Sequence, residues 1–168
     1  MIDRILIDMD GVIADFVSPS LKAAAIPLSH DECNMWNYFS GFMTEDEFWA
    51  AIESIDGFWD SLEPYSWAHS LVHMCKSVAP VYFCSSPARH KSCAGAKIHW
   101  LREHGFLQGK EDHFILTPHK YLLARNGTVL IDDGQHNIEA FQSAGGHAIT
   151  FPMPWNGCLS SGITSGDD

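Results

Sequence analysis

The 168-residue chain is short of positive charge: ten Lys and Arg stand against twenty-one Asp and Glu, giving a formal charge of −11. Binding to a polynucleotide draws on basic surface that neutralises phosphates, so no nucleic acid polymer is expected as a partner. The chain has no cysteine pair at CxxC spacing, and its cysteines number five. An odd, unpaired set speaks against a disulfide frame or a zinc site and for free thiols in a reducing compartment. No apolar run approaches the roughly 20 residues of a membrane span, and no internal repeat is visible. The start, MIDRILIDMDG, carries Asp3 and Arg4 where a signal peptide would be apolar. These absences lead to the expectation of a soluble cytoplasmic protein with no membrane partner. Its length suits one domain with a small insertion.

Apolar residues, by contrast, are plentiful: 46% of the chain is hydrophobic, with six Trp and ten Phe, enough for a sizeable core. Short apolar runs recur at residues 4–8 (RILID), 81–84 (VYFC), 113–116 (HFIL), 128–132 (TVLID) and 147–151 (HAITF). Helix-length segments separate them. Residues 66–77 open with Ser66 and set Trp67, Leu71 and Met74 or Cys75 on one face. Residues 93–105 stop at Gly105, and residues 137–146 stop at a glycine pair. Strands alternating with helices predict an α/β fold, a Rossmann-like parallel sheet with helices on both faces. In such sheets ligands bind beyond the carboxyl ends of the strands.

Residues 15–65 break the alternation and are crowded with aromatics. Thr44 and Glu47 stand at capping-box spacing, so a helix is expected over 44–55. We read this stretch as a small helical cap inserted after the first strand. The expected division is a core of residues 1–14 and 66–155, a cap of 15–65, and a flexible tail of 156–168.

The chemistry-bearing residues sit where the strands end. In ILIDMDG, Asp8 and Asp10 are two apart on an extended segment and so can face one ligand. Gly11 lets the backbone turn sharply beside it. A calcium loop is excluded, since its fifth position is Val12 and the flanks are strand-like. In VYFCSSPA, Ser85 and Ser86 offer hydroxyls and backbone N–H groups suited to phosphoryl oxygens, although an ordinary Ser-Pro turn has the same composition. Lys97 lies mid-helix beside Ala94, Gly95 and Ala96, which leave room for its stem to run inward; Lys120 competes for the same role. TVLIDDG ends in Asp132 and Asp133, with Asn137 following. Two acidic pairs at two strand ends repel one another unless a cation lies between them, and Mg²⁺ suits carboxylate and phosphate oxygens. His69 and His73 are four apart on the 66–77 helix, but no HExxH or cysteine pair accompanies them.

The order DxDG, Ser-Ser, Lys, Asp-Asp resembles that of the haloacid dehalogenase-like phosphatases. Within them the chain resembles the 5'(3')-deoxyribonucleotidases, through DMDGVIADF, GFWDSLEP, FCSSPA, CAGAKIHWL, ILTPHK and LIDD. The resemblance implies a Mg²⁺-dependent phosphatase of 5'(3')-(deoxy)ribonucleoside monophosphates. Asp8 would be the nucleophile that becomes an aspartyl-phosphate, and Asp10 the acid and base. Ser85, Ser86 and Lys97 would hold the phosphate, the resemblance favouring Lys97 over Lys120. Asp8, Asp10, Asp132 and Asp133 would hold the metal. Phe16, with Phe42 or Trp59 opposite, would stack on the base. A homodimer stays open. Two departures bear on specificity: the family's TSP is SSP here, and its LTRDK reads LTPHK, so Pro118 replaces an arginine. Rival readings are a phosphatase of another small phosphorylated metabolite and a non-catalytic phosphate- or nucleotide-binding regulatory module.

Overall fold

The computed structural model describes residues 1–88, 90–108 and 113–158. Five parallel strands form the central sheet: β1 (Arg4–Ile7), β4 (Val81–Ser85), β5 (Phe114–Leu116), β6 (Thr128–Asp132) and β7 (His147–Thr150). Their order is β5-β4-β1-β6-β7, with β1 at the centre. The five expected runs are these strands, each within a residue or two of its expected bounds. Ile5 pairs with Val81 on one side and Val129 on the other, so the carboxyl ends of β1, β4 and β6 finish side by side.

Successive strand residues point to opposite faces, and the core divides accordingly. Ile5, Ile7, Val81, Phe83, Val129 and Ile131 face one cluster, which also takes in Ala68, Val72, Trp100 and Leu101. Leu6, Cys84 and Leu130 face the other, against Phe141. Helices α3 (Ala68–Val78) and α4 (Cys93–Glu103) therefore cover one side and α5 (Gln135–Ser143) the other. Buried on both faces, the three central strands β1, β4 and β6 read as near-continuous apolar runs, whereas the edge strand β7 alternates exposed and half-buried residues.

Between β1 and β4 the chain forms a two-stranded antiparallel ribbon, β2 (Ala14–Asp15) with β3 (Glu63–Pro64), enclosing α1 (Val17–Ala23) and α2 (Glu45–Glu53). The Thr44 capping box is present: Thr44 Oγ1 accepts from the Glu47 amide at 3.3 Å, and Glu47 Oε2 accepts from the Thr44 amide at 2.8 Å. The ribbon is tied to the sheet layer by Trp100, whose Nε1 donates to the Leu62 carbonyl at 2.6 Å.

Two local expectations need correction. The helix expected from Ser66 begins at Ala68, with no side-chain cap. Its inward face is Ala68, Val72 and Cys75, whereas Met74 is exposed. A two-residue later start rotates the buried stripe. Cys33, Cys75, Cys84 and Cys93 are buried free thiols. Asn156, grouped in sequence with the tail, donates to the carbonyls of Asp133 and Phe151 at 3.0 and 2.6 Å; residues 159–168 of that tail lie outside the described residues. Among the described residues, no helix is long and apolar enough to cross a membrane.

Candidate active site

The carboxyl ends of β1, β4 and β6 bring Asp8, Ser85 and Asp132 to one edge, and every one of them is buried. Sequence neighbours complete the group: Asp10, Ser86, Asp133, and two lysines. Lys97 and Lys120 are each only 1% exposed. A buried ammonium without partners is costly, and both are fully engaged.

Lys97 rises from α4 and donates to Asp10 Oδ2 at 2.6 Å, Ser85 Oγ at 2.8 Å and the Ser86 carbonyl at 2.9 Å. Its Nζ also lies 5.1 Å from the Trp59 ring centroid, within cation–π range. The small residues beside it in sequence correspond to an inward-running stem. Lys120 sits in a 3-10 turn after β5 and is not a bystander. Its Nζ lies 2.8 Å from Asp8 Oδ1 and 2.6 Å from Asp132 Oδ2, so it bridges the two strand-end acids. The sequence signals that weighed one lysine against the other missed that both belong here.

The two oxygens of Asp132 are saturated. Besides Lys120, they accept from the Gly134 amide at 2.8 Å and from Asn137 Nδ2 at 3.1 and 3.2 Å. Asp133 differs. Its Oδ2 accepts from the Trp155 indole at 2.6 Å, whereas its buried Oδ1 has no hydrogen-bond partner among the described residues. Asp10 Oδ1 is unpartnered in the same way. Asp8, Asp132 and Asp133 can each bring one oxygen to within 4.8 Å of the others. Gly11 is part of this packing. It adopts φ +77°, and a Cβ there would lie 2.7 Å from Asp133 Cγ and closer still to Oδ2.

Crowding shows in the titration of these groups. Burial, reinforced by Asp132 and Asp10 and opposed by Lys120, pushes Asp8 from 3.8 up to about 7. Burial and the neighbouring carboxylates Asp8 and Asp132 also hold Asp133 well above the usual range. Lys120 moves upward despite burial, because Asp8 and Asp132 favour its charged form. Carboxylates that resist ionisation, with the unpartnered Asp133 Oδ1 buried beside Asp8 and Asp132, fit a hard divalent cation that would take the place of protons.

Beyond these acids opens a cavity of about 380 Å³, lined on one side by Asp8, Asp10, Ser85, Ser86 and Lys97 and on the other by aromatic rings. Phe16 and Trp59 both line it, but they stack on each other, with centroids 5.6 Å apart and planes 17° apart. That separation leaves no room for a base between them, so a sandwich of that pair does not form. Phe42 is 50% exposed and lines a separate depression rather than this cavity; its amide donates to the Phe39 carbonyl. The walls that sequence reasoning missed are Trp36, Trp49, His136 and Trp155. Trp36 and His136 meet edge to face at 5.0 Å across the mouth. His69, one of the spaced histidines, stacks on Phe106 at 4.5 Å, in a packing role.

Known proteins resemble this chain in sequence and in fold. Residues 1–162 match the family described as 5' nucleotidase, deoxy (pyrimidine), cytosolic type C protein. The human cytosolic-type 5'(3')-deoxyribonucleotidase is 29% identical over 143 residues, 77% of this chain and 70% of that protein. A HAD family hydrolase from Deinococcus radiodurans, solved with bound phosphate and sodium, superposes with a TM-score of 0.62 at 16% identity, over 95% of this chain and 87% of that one. A HAD family enzyme from Bacteroides thetaiotaomicron, solved with magnesium and inorganic phosphate, gives 0.52 at 18% identity, over 91% and 96%. The chain shares the fold of these HAD family enzymes, and on the match over nearly its whole length it belongs to the 5' nucleotidase, deoxy (pyrimidine), cytosolic type C family and is a phosphoric monoester hydrolase.

Proposed function

We propose that the enzyme hydrolyses 5'(3')-(deoxy)ribonucleoside monophosphates with magnesium, by way of a phosphoryl group carried on Asp8. The observation that carries this reading is the placement of two buried lysines. Lys97 ties Asp10 to Ser85 on one flank, and Lys120 ties Asp8 to Asp132 on the other. Phosphoryl transfer is chiefly a matter of positioning and electrostatic stabilisation.

In this reading Asp8 attacks phosphorus through the oxygen not bound to Lys120, and the bond to the sugar oxygen breaks. Asp10 gives the leaving oxygen its proton, then takes one from the water that cleaves the acyl-phosphate. An incoming phosphoryl oxygen competes with Asp10 for Lys97, and release of that ion pair frees Asp10 to carry the proton. Ser85 and Ser86 hold further equatorial oxygens. A bound Mg²⁺ supplies neutralisation of the charge between nucleophile and phosphoryl group. Asp8, the free oxygen of Asp133 and the Asp10 carbonyl are the groups that would hold it. The sequence reading also gave Asp132 to the metal; its engaged oxygens support a different part, that of holding Lys120 and the turn into α5. Residues 15–65 act as the cap, and the aromatic wall of the cavity, rather than Phe42, receives the nucleoside. The free thiols of Cys33, Cys75, Cys84 and Cys93 agree with a cytosolic setting.

A phosphate-release assay over dUMP, dTMP, UMP and a sugar phosphate, with and without Mg²⁺, tests the reading. Nucleotide turnover that requires Mg²⁺ and vanishes in Asp8→Asn is expected. Full activity in that variant, or a preference for the sugar phosphate, would overturn it.

A further inference from the structure

Among the described residues, Trp155 is the one aromatic of the cavity that touches the acid cluster by a hydrogen bond. It lies in a short 3-10 turn, Pro154–Asn156, just after the edge strand β7. Asn156 straps this turn down through the Asp133 and Phe151 carbonyls, while its own Oδ1 accepts from the Met153 and Cys158 amides, each at 3.2 Å. The indole is thereby fixed, and the ring of His30 from the cap packs edge-on against it at 5.2 Å. Its Nε1 donates to Asp133 Oδ2 at 2.6 Å. Gly11, where a Cβ would lie 2.7 Å from Asp133 Cγ and 3.1 Å from Trp155 Cζ2, leaves room for the indole and the carboxylate to meet.

The consequence is asymmetric. One oxygen of Asp133 is claimed by a rigid donor, and the other is buried and unpartnered among the described residues. We infer that Trp155 is a positioning residue that makes Asp133 a one-oxygen ligand and thereby favours a small octahedral cation over calcium. Calcium takes six to eight oxygens and commonly uses carboxylates in bidentate fashion, whereas Mg²⁺ demands near-octahedral geometry with single oxygens and water. A carboxylate pinned at one oxygen cannot supply the bidentate contact. The inference rests on the proposed magnesium site and adds to it a residue from outside the four motifs.

Calorimetric titration of the substrate-free enzyme with MgCl₂ and, separately, with CaCl₂ tests this without any activity readout. Trp155→Phe keeps a ring in place but removes the donor. Replacement of Trp155 by its benzothiophene isostere, which keeps the shape and loses only the N–H, covers the case in which the phenylalanine variant folds poorly. Loss of a group that orients a metal ligand lowers affinity by about 10- to 100-fold. Such a loss is expected for Mg²⁺, with a smaller loss or a gain for Ca²⁺, so that the Mg²⁺ to Ca²⁺ affinity ratio falls. A ring that serves only for packing would leave the isostere's two affinities at wild-type values, which overturns the inference while the magnesium site stands. Wild-type enzyme that takes up neither ion overturns both.

Discussion

Gly11→Ala is the substitution for which the geometry makes the sharpest demand. Gly11 sits at φ +77°, and an added Cβ would lie 2.7 Å from Asp133 Cγ and 3.1 Å from Trp155 Cζ2. Left-handed backbone in alanine costs about 1–2 kcal/mol. The Asp133 carboxylate would also have to move, breaking its hydrogen bond from Trp155 (2.6 Å), and a buried hydrogen bond to a charged group contributes about 1.5–3 kcal/mol. The two costs together come to about 2.5–5 kcal/mol. For a domain of this size that corresponds to a fall in Tm on the order of 10 °C. Since the displaced group is also a proposed metal ligand, Mg²⁺ affinity should fall at least about tenfold. Differential scanning calorimetry and magnesium titration of the purified variant measure both. A Tm within about 2 °C of wild type, with unchanged affinity, would refute the close packing of Gly11, Asp133 and Trp155.

Other expectations follow from the same arrangement. Lys120→Met removes the cation between Asp8 and Asp132 and should destabilise the metal-free protein by about 3–5 kcal/mol, more at pH 8 than at pH 5, as read by urea unfolding; equal loss at both pH values would contradict the bridging role. Asp8 titrates near 7 in the folded protein against 3.8 ordinarily, so the native state holds the extra proton. Its contribution is therefore complete below about pH 4 and is lost as pH rises through 7. The proposed magnesium ion would displace that proton, so its increment in Tm should be larger at pH 8 than at pH 5, and a pH-independent increment would exclude the linkage. Phe42→Ala should leave the KM for nucleotides unchanged, whereas Trp36→Ala at the cavity mouth should raise it, by an amount set by the roughly 1–3 kcal/mol that stacking supplies; the reverse pattern would place the nucleoside elsewhere.

The sheet and the acids at its edge were legible because one local rule governs both. An apolar run that ends in Asp, Ser or Asp-Asp reports a buried strand and the polar group at its tip together, so Asp8, Ser85, Asp132 and Asp133 could be assigned to a common edge. Lys97 was legible from the small residues flanking it on a helix. Lys120 was not, since nothing local distinguishes a lysine in a 3-10 turn aimed at the core from one aimed at water; its burial is set by the acids of two other strands. Trp155 follows the last strand, in a turn that becomes a wall only through the hydrogen bonds of Asn156. The cap was legible as a region of aromatics but not ring by ring. Its helices are short, and which rings face the cavity depends on how α1, α2 and the ribbon fold back on one another. Trp36 and Phe42, only six positions apart, ended up at different surfaces for that reason.

Covalent catalysis by Asp8 is the step on which the proposed reaction depends. Mixing the enzyme with a deoxynucleoside monophosphate and Mg²⁺, quenching in acid within the first turnover and mapping peptides by mass spectrometry measures it directly. A phosphoryl group on the peptide that holds Asp8, absent from Asp8→Asn, is the expected result. Full turnover with Asp8 unmodified throughout, or the phosphoryl group found on another residue, would contradict it.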